Sequence, residues 1–195
     1  LLENLNKNGH FLYLSSSEIY TGLDKKNITE KDIGNSSTDH IRASYIESKR
    51  TGETIVNIFR KIGVNAKSAR ISMAYGPGTK KNDDRVLNKF IKSAILEKKI
   101  ALIDDGSAIR PFCYISDTIE MLWNVLLYGN EPIYNVGTEE LISIKEIAKK
   151  ISNIFNVPIE FNKKSSDLGA PNKVNINNSL VKNEFNKNSF ISLDE

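Results

Sequence analysis

The stretch FLYLSSSEIY, residues 11–20, decides how this 195-residue chain folds. Its first four residues form a short apolar and aromatic run, which predicts a buried strand. Three serines and Glu18 follow, where the carboxyl end of that strand should lie. In open parallel sheets, ligands bind outside the carboxyl ends of the strands. The stretch therefore predicts a strand of a parallel sheet with a polar binding edge.

A tyrosine and a lysine four residues apart follow this stretch. Tyr45 and Lys49 would lie on one face of a helix, because positions i and i+4 are neighbours there. A free phenol has a pKa of about 10, too high for a base at neutral pH, and a nearby cation lowers the pKa of a phenol. Taken alone, the pair is more often an exposed helix pair, and the serines more often a turn or a cap. Taken together with the strand, they indicate a catalytic site.

Hydrophobic periodicity predicts alternating helices and strands along the rest of the chain. We predict helices over residues 45–61, 83–97 and 116–127, and a strand over residues 66–72. Strands that alternate with helices predict an α/β fold with a parallel sheet.

Two local patterns add detail to these helices. Ser143 and Glu146 form a capping box, which opens a further helix. In the first helix, an apolar stripe is expected to face the core, and its members are Ile55, Val56, Ile58, Phe59 and Ile62.

Composition excludes several classes of function. The net charge is only +3, the basic residues are scattered, and no basic stripe with stacking aromatics is visible, so we expect no nucleic-acid partner. No apolar run reaches membrane-spanning length, so we expect no membrane partner. His10 and His40 do not have a metal-ligand spacing, so no metal is expected. The single cysteine, Cys113, is expected to be a buried structural thiol, and a cytoplasmic setting follows from the lack of disulfides.

The order of these motifs resembles the extended short-chain dehydrogenase/reductase family, which comprises NAD-dependent sugar-nucleotide epimerases, dehydratases and decarboxylases. Within it, the UDP-glucuronate decarboxylases are the most similar, through Ser-Ser-Glu, Arg-Ala-Ser-Tyr, Asp-Arg-Val and Arg110. Further segments follow in the family's order, namely ARISMAYGPG (residues 69–78), DRVLNKFI (84–91), DGSAIRPFCYISD (105–117) and YNVG (134–137).

The resemblance implies the C-terminal part of a Rossmann-type parallel sheet plus a smaller α/β substrate domain. Residues 1–75 would form the C-terminal half of the dinucleotide-binding domain, with about 110–127 returning to it. Residues 76–195 would mostly form the sugar-nucleotide-binding domain. The family carries a Gly-x-Gly-x-x-Gly phosphate loop ahead of these motifs, and this sequence has none. We therefore expect a piece of a longer protein, without a full NAD site of its own.

The resemblance also implies roles for single residues. Tyr45 would take the proton of the sugar C4 hydroxyl, and Ser16 would share that proton. Lys49 would hold the nicotinamide ribose while NAD accepts the hydride. Tyr45, Lys49 and Ser15 are therefore expected to contact the cofactor.

Further positions would bind substrate or serve the later chemistry. Glu18 and Arg110 resemble the decarboxylase pair, with Arg110 holding the substrate carboxylate or the developing charge. Ser17, Arg85 and Arg110 are expected to contact the substrate. Asp117 is expected only to cap the helix that follows it.

The function implied is NAD-dependent modification of a nucleotide sugar through a 4-keto intermediate, above all decarboxylation of a UDP-uronic acid, by a homodimer of the full-length protein. Dehydration and 4-epimerisation stay open, because Ser16, Tyr45 and Lys49 would serve all three reactions. Met73 stands where the decarboxylases carry Asn, and residues 169–173 fit their pattern poorly, which leaves the sugar and the nucleotide open. A catalytically lapsed binding protein on the same fold is the alternative of another class.

Overall fold

The computed structural model describes residues 2–6, 8–80, 82–161 and 174–195. Strands and helices alternate along these residues. The strands are β1 (Phe11–Ser16), β2 (Ala66–Ile71), β3 (Met73–Tyr75), β4 (Ile100–Leu102), β5 (Ile109–Tyr114), β6 (Ile133–Val136), β7 (Leu141–Ser143) and β8 (Ile159–Phe161). The α-helices are α1 (Ala43–Lys61), α2 (Val86–Leu96), α3 (Ile115–Tyr128), α4 (Ile144–Phe155) and α5 (Ser179–Phe185). A short 3-10 turn, Ser17–Tyr20, follows β1 directly.

The main sheet is parallel and has the strand order β1-β2-β6. α1 packs against β1 and β2, and α3 contacts all three strands. Within the described parts of the chain, β1 and β6 each pair only with β2, so both are edge strands of this sheet. The serine cluster at the end of β1 therefore lies at one of the two open edges of the main sheet.

Two smaller sheets complete the fold. β5 lies between β3, which runs parallel to it, and β7, which runs antiparallel. β4 and β8 form a separate parallel pair. α2 and α4 pack against each other and against β4, around a core that includes Phe90, Ile100, Leu102 and Ile147. Burying one such side chain contributes about 1.5–3 kcal/mol.

The predicted α/β class with a parallel sheet is confirmed. The predicted strand and helices form, with ends that differ by at most three residues. α2 begins at Val86 because Arg85 is extended, with its backbone N donating to Asp83 Oδ1 at 2.9 Å. The predicted capping box is confirmed at the start of α4, with both of its hydrogen bonds present. The predicted domain boundaries stay predictions.

The prediction that the apolar stripe of α1 faces the core is wrong for Ile55, Ile58 and Ile62, which are 46–73% exposed. Only Val56 of that stripe is fully buried, and Glu53 lies on the buried face with it. The sheet covers only a narrow face of α1. The Glu53 carboxylate lies on that face because it forms an ion pair with Arg70.

The expectation that Asp117 caps a helix is also wrong. Tyr114 holds the cap position, whereas Asp117 is buried in the first turn of α3. Its carboxylate accepts hydrogen bonds from Lys187 Nζ at 2.7 Å and from the backbone N of Ile191 at 2.8 Å. Asp117 therefore anchors the segment after α5, and sequence rules cannot find a partner 70 residues away.

Gly52 allows α1 to approach β1. A Cβ atom built there would overlap the Tyr13 ring of β1. We expect Gly52→Ala in the intact protein to lower the free energy of unfolding by about 1–3 kcal/mol, because the packed ring must move. Chemical denaturation measures this change. The control is Thr51→Ala at an exposed position one residue earlier in α1, which should leave the free energy within about 0.5 kcal/mol of its original value. A Gly52→Ala protein as stable as the original would contradict this packing argument.

Candidate functional site

The serine cluster lies at the carboxyl end of β1, as the sequence predicts. Ser15 and Ser16 end the strand, and Ser17 begins the 3-10 turn. Ser16 Oγ accepts a hydrogen bond from the backbone N of Glu18 at 3.2 Å, which caps the turn. The capping bond uses Ser16 Oγ as an acceptor, so its hydroxyl hydrogen is left to donate elsewhere.

Tyr45 and Lys49 lie beside this strand end. Lys49 Nζ is 5.5 Å from the centre of the Tyr45 ring and donates to the backbone O of Leu14 at 2.9 Å. Leu14 is two residues before Ser16 on β1. The lysine therefore ties the helix to the strand next to the serine cluster, and the Tyr45 ring stays 40% exposed.

Arg42 lies on the same side and pairs with Glu18. Its Nε and Nη2 atoms each donate to a different oxygen of the Glu18 carboxylate, both at 2.5 Å. The Arg42 guanidinium carbon is also 5.6 Å from the centre of the Tyr45 ring. The hydrogen bond to Glu18 raises the pKa of Arg42. From the sequence, Arg42 has no predicted role beyond its place in the Arg-Ala-Ser-Tyr stretch.

A buried ion pair lies beneath the strand end. Arg70 on β2 and Glu53 on α1 form two hydrogen bonds, of 2.8 and 3.0 Å, and both side chains are almost completely buried. Ser15 Oγ donates to Glu53 Oε1 at 2.5 Å. Burial lowers the pKa of Arg70, but its hydrogen bonds and the charge of Glu53 outweigh that effect and raise it. The arginine is therefore a permanent cation under the serine cluster.

Tyr20 extends the same network to the third strand. Its hydroxyl accepts from Arg70 Nη1 at 2.8 Å and donates to Asn135 Oδ1 on β6 at 2.6 Å. Burial raises the pKa of Tyr20 to about 12, so its hydroxyl stays protonated. The turn after β1 is thus pinned to β2 and β6. Sequence reasoning missed Glu53, Arg70 and Tyr20 as supports of the site.

Arg110 is a partly buried cation on β5. Its Nη1 atom donates to the backbone O of Ile109 at 2.8 Å, and no ion pair of Arg110 occurs among the residues that the structure describes. Burial lowers the pKa of Arg110, and the charge of Glu18 opposes this effect. Arg110 therefore lies within electrostatic range of Glu18. A desolvated guanidinium of this kind attracts an anion.

Arg85 lines a separate cavity of about 320 Å³. The wall of this cavity also includes the loop Gly76–Gly78, Tyr75 and Ile115. Arg85 forms a forked pair with Asp83, with three hydrogen bonds of 2.5–3.0 Å. Gly76 has a φ of +146°, and a Cβ atom there would overlap Ile115, so the loop requires glycine. The predicted substrate contacts of Arg85, Arg110 and Ser17 stay predictions.

The donor set at α1 fits the ribose and ring of a nicotinamide cofactor. Lys49 uses one of its three N–H donors on Leu14, which leaves two for hydroxyl groups. The Tyr45 hydroxyl has no hydrogen-bond partner within the described ranges. The cofactor and catalytic roles of these residues stay predictions.

Among the described residues, no group of three or more His, Cys, Asp and Glu side chains is arranged to hold a metal ion. Nor does any helix among them have the length and apolar character needed to cross a membrane.

We expect the Arg70→Met substitution to destabilise the intact protein by about 3–5 kcal/mol, because it leaves the Glu53 carboxylate buried without a partner. Urea unfolding measures the change. The double variant Glu53→Gln/Arg70→Met should recover a large part of the loss, because it removes the uncompensated charge as well. A loss below about 1 kcal/mol for the single variant would contradict the role of the pair.

The predicted burial of Cys113 is confirmed. Burial raises the pKa of its thiol to about 11. Only the thiolate reacts with alkylating reagents, so about one thiol in a thousand is reactive at pH 8. We expect peptide mapping to find Cys113 unmodified by iodoacetamide at pH 8 in the folded protein and fully modified in urea. Rapid modification of the folded protein would contradict this assignment.

The chain is similar to several characterised proteins. Residues 1–137 match the NAD dependent epimerase/dehydratase family. UDP-glucuronic acid decarboxylase 1 from Arabidopsis thaliana is 32% identical over 190 residues, which cover 95% of this chain and 43% of the plant protein. The chain thus spans less than half the length of that relative.

Solved structures show the same fold. The UDP-glucose 4-epimerase of Thermotoga maritima, solved with UDP-glucose, superposes with a TM-score of 0.84 at 20% identity, over 95% of this chain and 60% of the epimerase. The UDP-glucuronic acid 4-epimerase of Bacillus cereus, solved with UDP-glucuronic acid and NAD, gives 0.78 at 23% identity, over 94% and 57%.

The family match covers more than half of the chain and includes the serine cluster, Tyr45 and Lys49. The folds agree as a Rossmann-type α/β arrangement. This chain belongs to the NAD-dependent epimerase/dehydratase family.

Proposed function

We propose that the protein carrying this chain is an NAD-dependent enzyme that decarboxylates a UDP-uronic acid through a 4-keto intermediate. The observation that carries the proposal is the partly buried guanidinium of Arg110, which has no carboxylate partner among the described residues and lies within electrostatic range of Glu18. A cation of this kind suits a substrate that carries a carboxylate. Similarity to one UDP-glucuronic acid decarboxylase over 95% of the chain supports the same reaction.

NAD is the cofactor for which the family is named. The free N–H donors of Lys49 would hold the nicotinamide ribose, with Tyr45 next to it, and Ser15 is proposed to lie close by. When bound, NAD would accept a hydride from the sugar and return it at the end.

Tyr45 and Ser16 would carry out the first proton transfer. A Tyr45 phenolate would take the proton of the C4 hydroxyl, and Ser16 would hydrogen-bond the same oxygen. The position of Lys49, 5.5 Å from the Tyr45 ring centre, supports this role, because a nearby cation favours the phenolate. Arg42 would add a second positive charge beside that ring.

Loss of carbon dioxide would follow from the 4-keto group. The carboxylate on C5 is then β to a ketone, so the C5–C6 bond can break with its electrons delocalised into an enolate. Arg110 would hold the carboxylate and then offset the charge on the enolate oxygen. Glu18 is proposed to act with Arg110 when C5 is protonated, and Ser17 to contact the sugar.

Dehydration and 4-epimerisation would use the same first step. Ser17 cannot supply the acid needed to expel a C6 hydroxyl group, which favours decarboxylation, and a simple epimerisation has no need for Glu18. Met73 lies at the start of β3, opposite Phe112, and packs against the core formed around α2 and α4. It offers no hydrogen bond, so recognition of the nucleotide would rest on other groups, such as Arg85.

A nucleotide sugar is the proposed partner. The homodimer and the cytoplasmic setting that the sequence suggested stay predictions.

We expect the intact enzyme, given NAD and UDP-glucuronate, to form a product that is lighter by the mass of carbon dioxide. Mass spectrometry of the nucleotide sugar measures this change. Tyr45→Phe should lower the rate by at least about a hundredfold, because the phenolate is lost. The matched control is Tyr13→Phe, which removes a hydroxyl group from another ring beside Lys49 and should change the rate less than about threefold.

Each alternative has its own outcome. A product lighter by one water would support dehydration, and a product of unchanged mass would leave epimerisation. No turnover of any nucleotide sugar would favour a lapsed binding protein. Near-normal turnover by Tyr45→Phe would overturn the role given to Tyr45.

A further inference from the structure

Two guanidinium groups lie near a single carboxylate at this site. Both oxygens of Glu18 are engaged by Arg42, in two hydrogen bonds of 2.5 Å. Arg110 donates to the backbone O of Ile109 instead. A forked pair of this kind fixes the direction of a carboxylate as well as its distance. Glu18 is therefore turned towards Arg42 rather than Arg110.

The two arginines differ in their partners. The Arg42 side chain is 37% exposed and has a full carboxylate partner that raises its pKa, whereas Arg110 has no such partner in the described part of the chain, and burial lowers the pKa of Arg110. A desolvated cation gains more from an anion than a solvated one does. Without Arg42, Glu18 would be released within electrostatic range of Arg110.

We propose that Arg42 is a positioning residue that holds the Glu18 carboxylate away from Arg110, and so keeps Arg110 open to the carboxylate of an acidic sugar. This inference rests on the function proposed above, since it assigns Arg110 to a substrate anion. Arg42 contacts neither sugar nor cofactor in this account. It determines specificity by removing a competing anion from inside the protein.

Losing Arg42 would free the Glu18 carboxylate to pair with Arg110. Glu18 would then compete with the substrate carboxylate for Arg110. A nucleotide sugar whose hexose carries no carboxylate does not use Arg110 in this way, so the loss of binding should be selective for the uronic acid.

Calorimetric titration of the intact, NAD-loaded protein tests the proposal. Every protein in this titration also carries Tyr45→Phe, which prevents turnover and keeps the aromatic ring beside Arg42. We expect Arg42→Met to weaken binding of UDP-glucuronate by about tenfold or more, and binding of UDP-glucose by less than about threefold. Adding Glu18→Gln to Arg42→Met should restore UDP-glucuronate binding to within about threefold, because the competing charge is gone.

Arg42→Lys separates charge from geometry. It keeps a cation near Tyr45 but loses the fork, so we expect a loss of UDP-glucuronate binding between those of the original and Arg42→Met. It also serves if Arg42→Met does not fold. Equal losses for both sugars, or no restoration by Glu18→Gln, would overturn the role of Arg42.

A crystal structure of the Arg42→Met protein without substrate separates this inference from the proposed function. We expect a Glu18 carboxylate oxygen within about 3 Å of the Arg110 guanidinium. A Glu18 side chain turned to solvent would overturn the inference whatever the substrate is. If the unmodified protein binds UDP-glucose as well as UDP-glucuronate while Glu18 moves to Arg110 in the variant, the uronic-acid assignment fails and the positioning role stands.

Discussion

The ion pair between Glu53 and Arg70 is the interaction on which the arrangement of the site depends. It joins α1 to β2 in the interior, where a lone charge would be strongly unfavourable. Other hydrogen bonds of the pair reach the end of β1 through Ser15 and the turn after β1 through Tyr20. Arg70 also donates to the backbone O atoms of Glu30 and Asp32, so the following loop is held too. One buried pair thus fixes a helix, two strands and a loop.

The proposed catalytic groups lie on the outer side of this network. α1 presents Tyr45 and Lys49 towards the end of β1, and the bond from Lys49 to Leu14 joins them from the solvent side. Arg42, just before the helix, reaches Glu18 in the turn. α1 is therefore attached to the end of β1 in the interior, by Glu53, and near the surface, by Lys49. Such double attachment is what a site needs if its groups are to keep a fixed separation.

Local patterns predicted much of the fold but little of what supports the site. The strand at Phe11, the capping box at Ser143 and the Tyr45–Lys49 pair follow from periods and spacings within a few residues. The Glu53–Arg70 pair was not predicted, because charged residues normally lie at the surface and because the two residues are 17 positions apart on different elements. The anchoring of Asp117 by Lys187 was not predicted for the same reason of distance. The roles proposed for Ser16 and Arg110 stay predictions, because they require a substrate.

We propose that a phenolate and a serine hydroxyl remove a proton from a sugar carbinol while a hydride leaves it. The absorbance of reduced NAD, recorded after rapid mixing of the intact, NAD-loaded protein with UDP-glucuronate, tests this step. We expect a transient rise in reduced cofactor that decays as product forms, and no rise with Tyr45→Phe. Release of carbon dioxide with no reduction of NAD at any time, under conditions that resolve a single turnover, would rule this mechanism out.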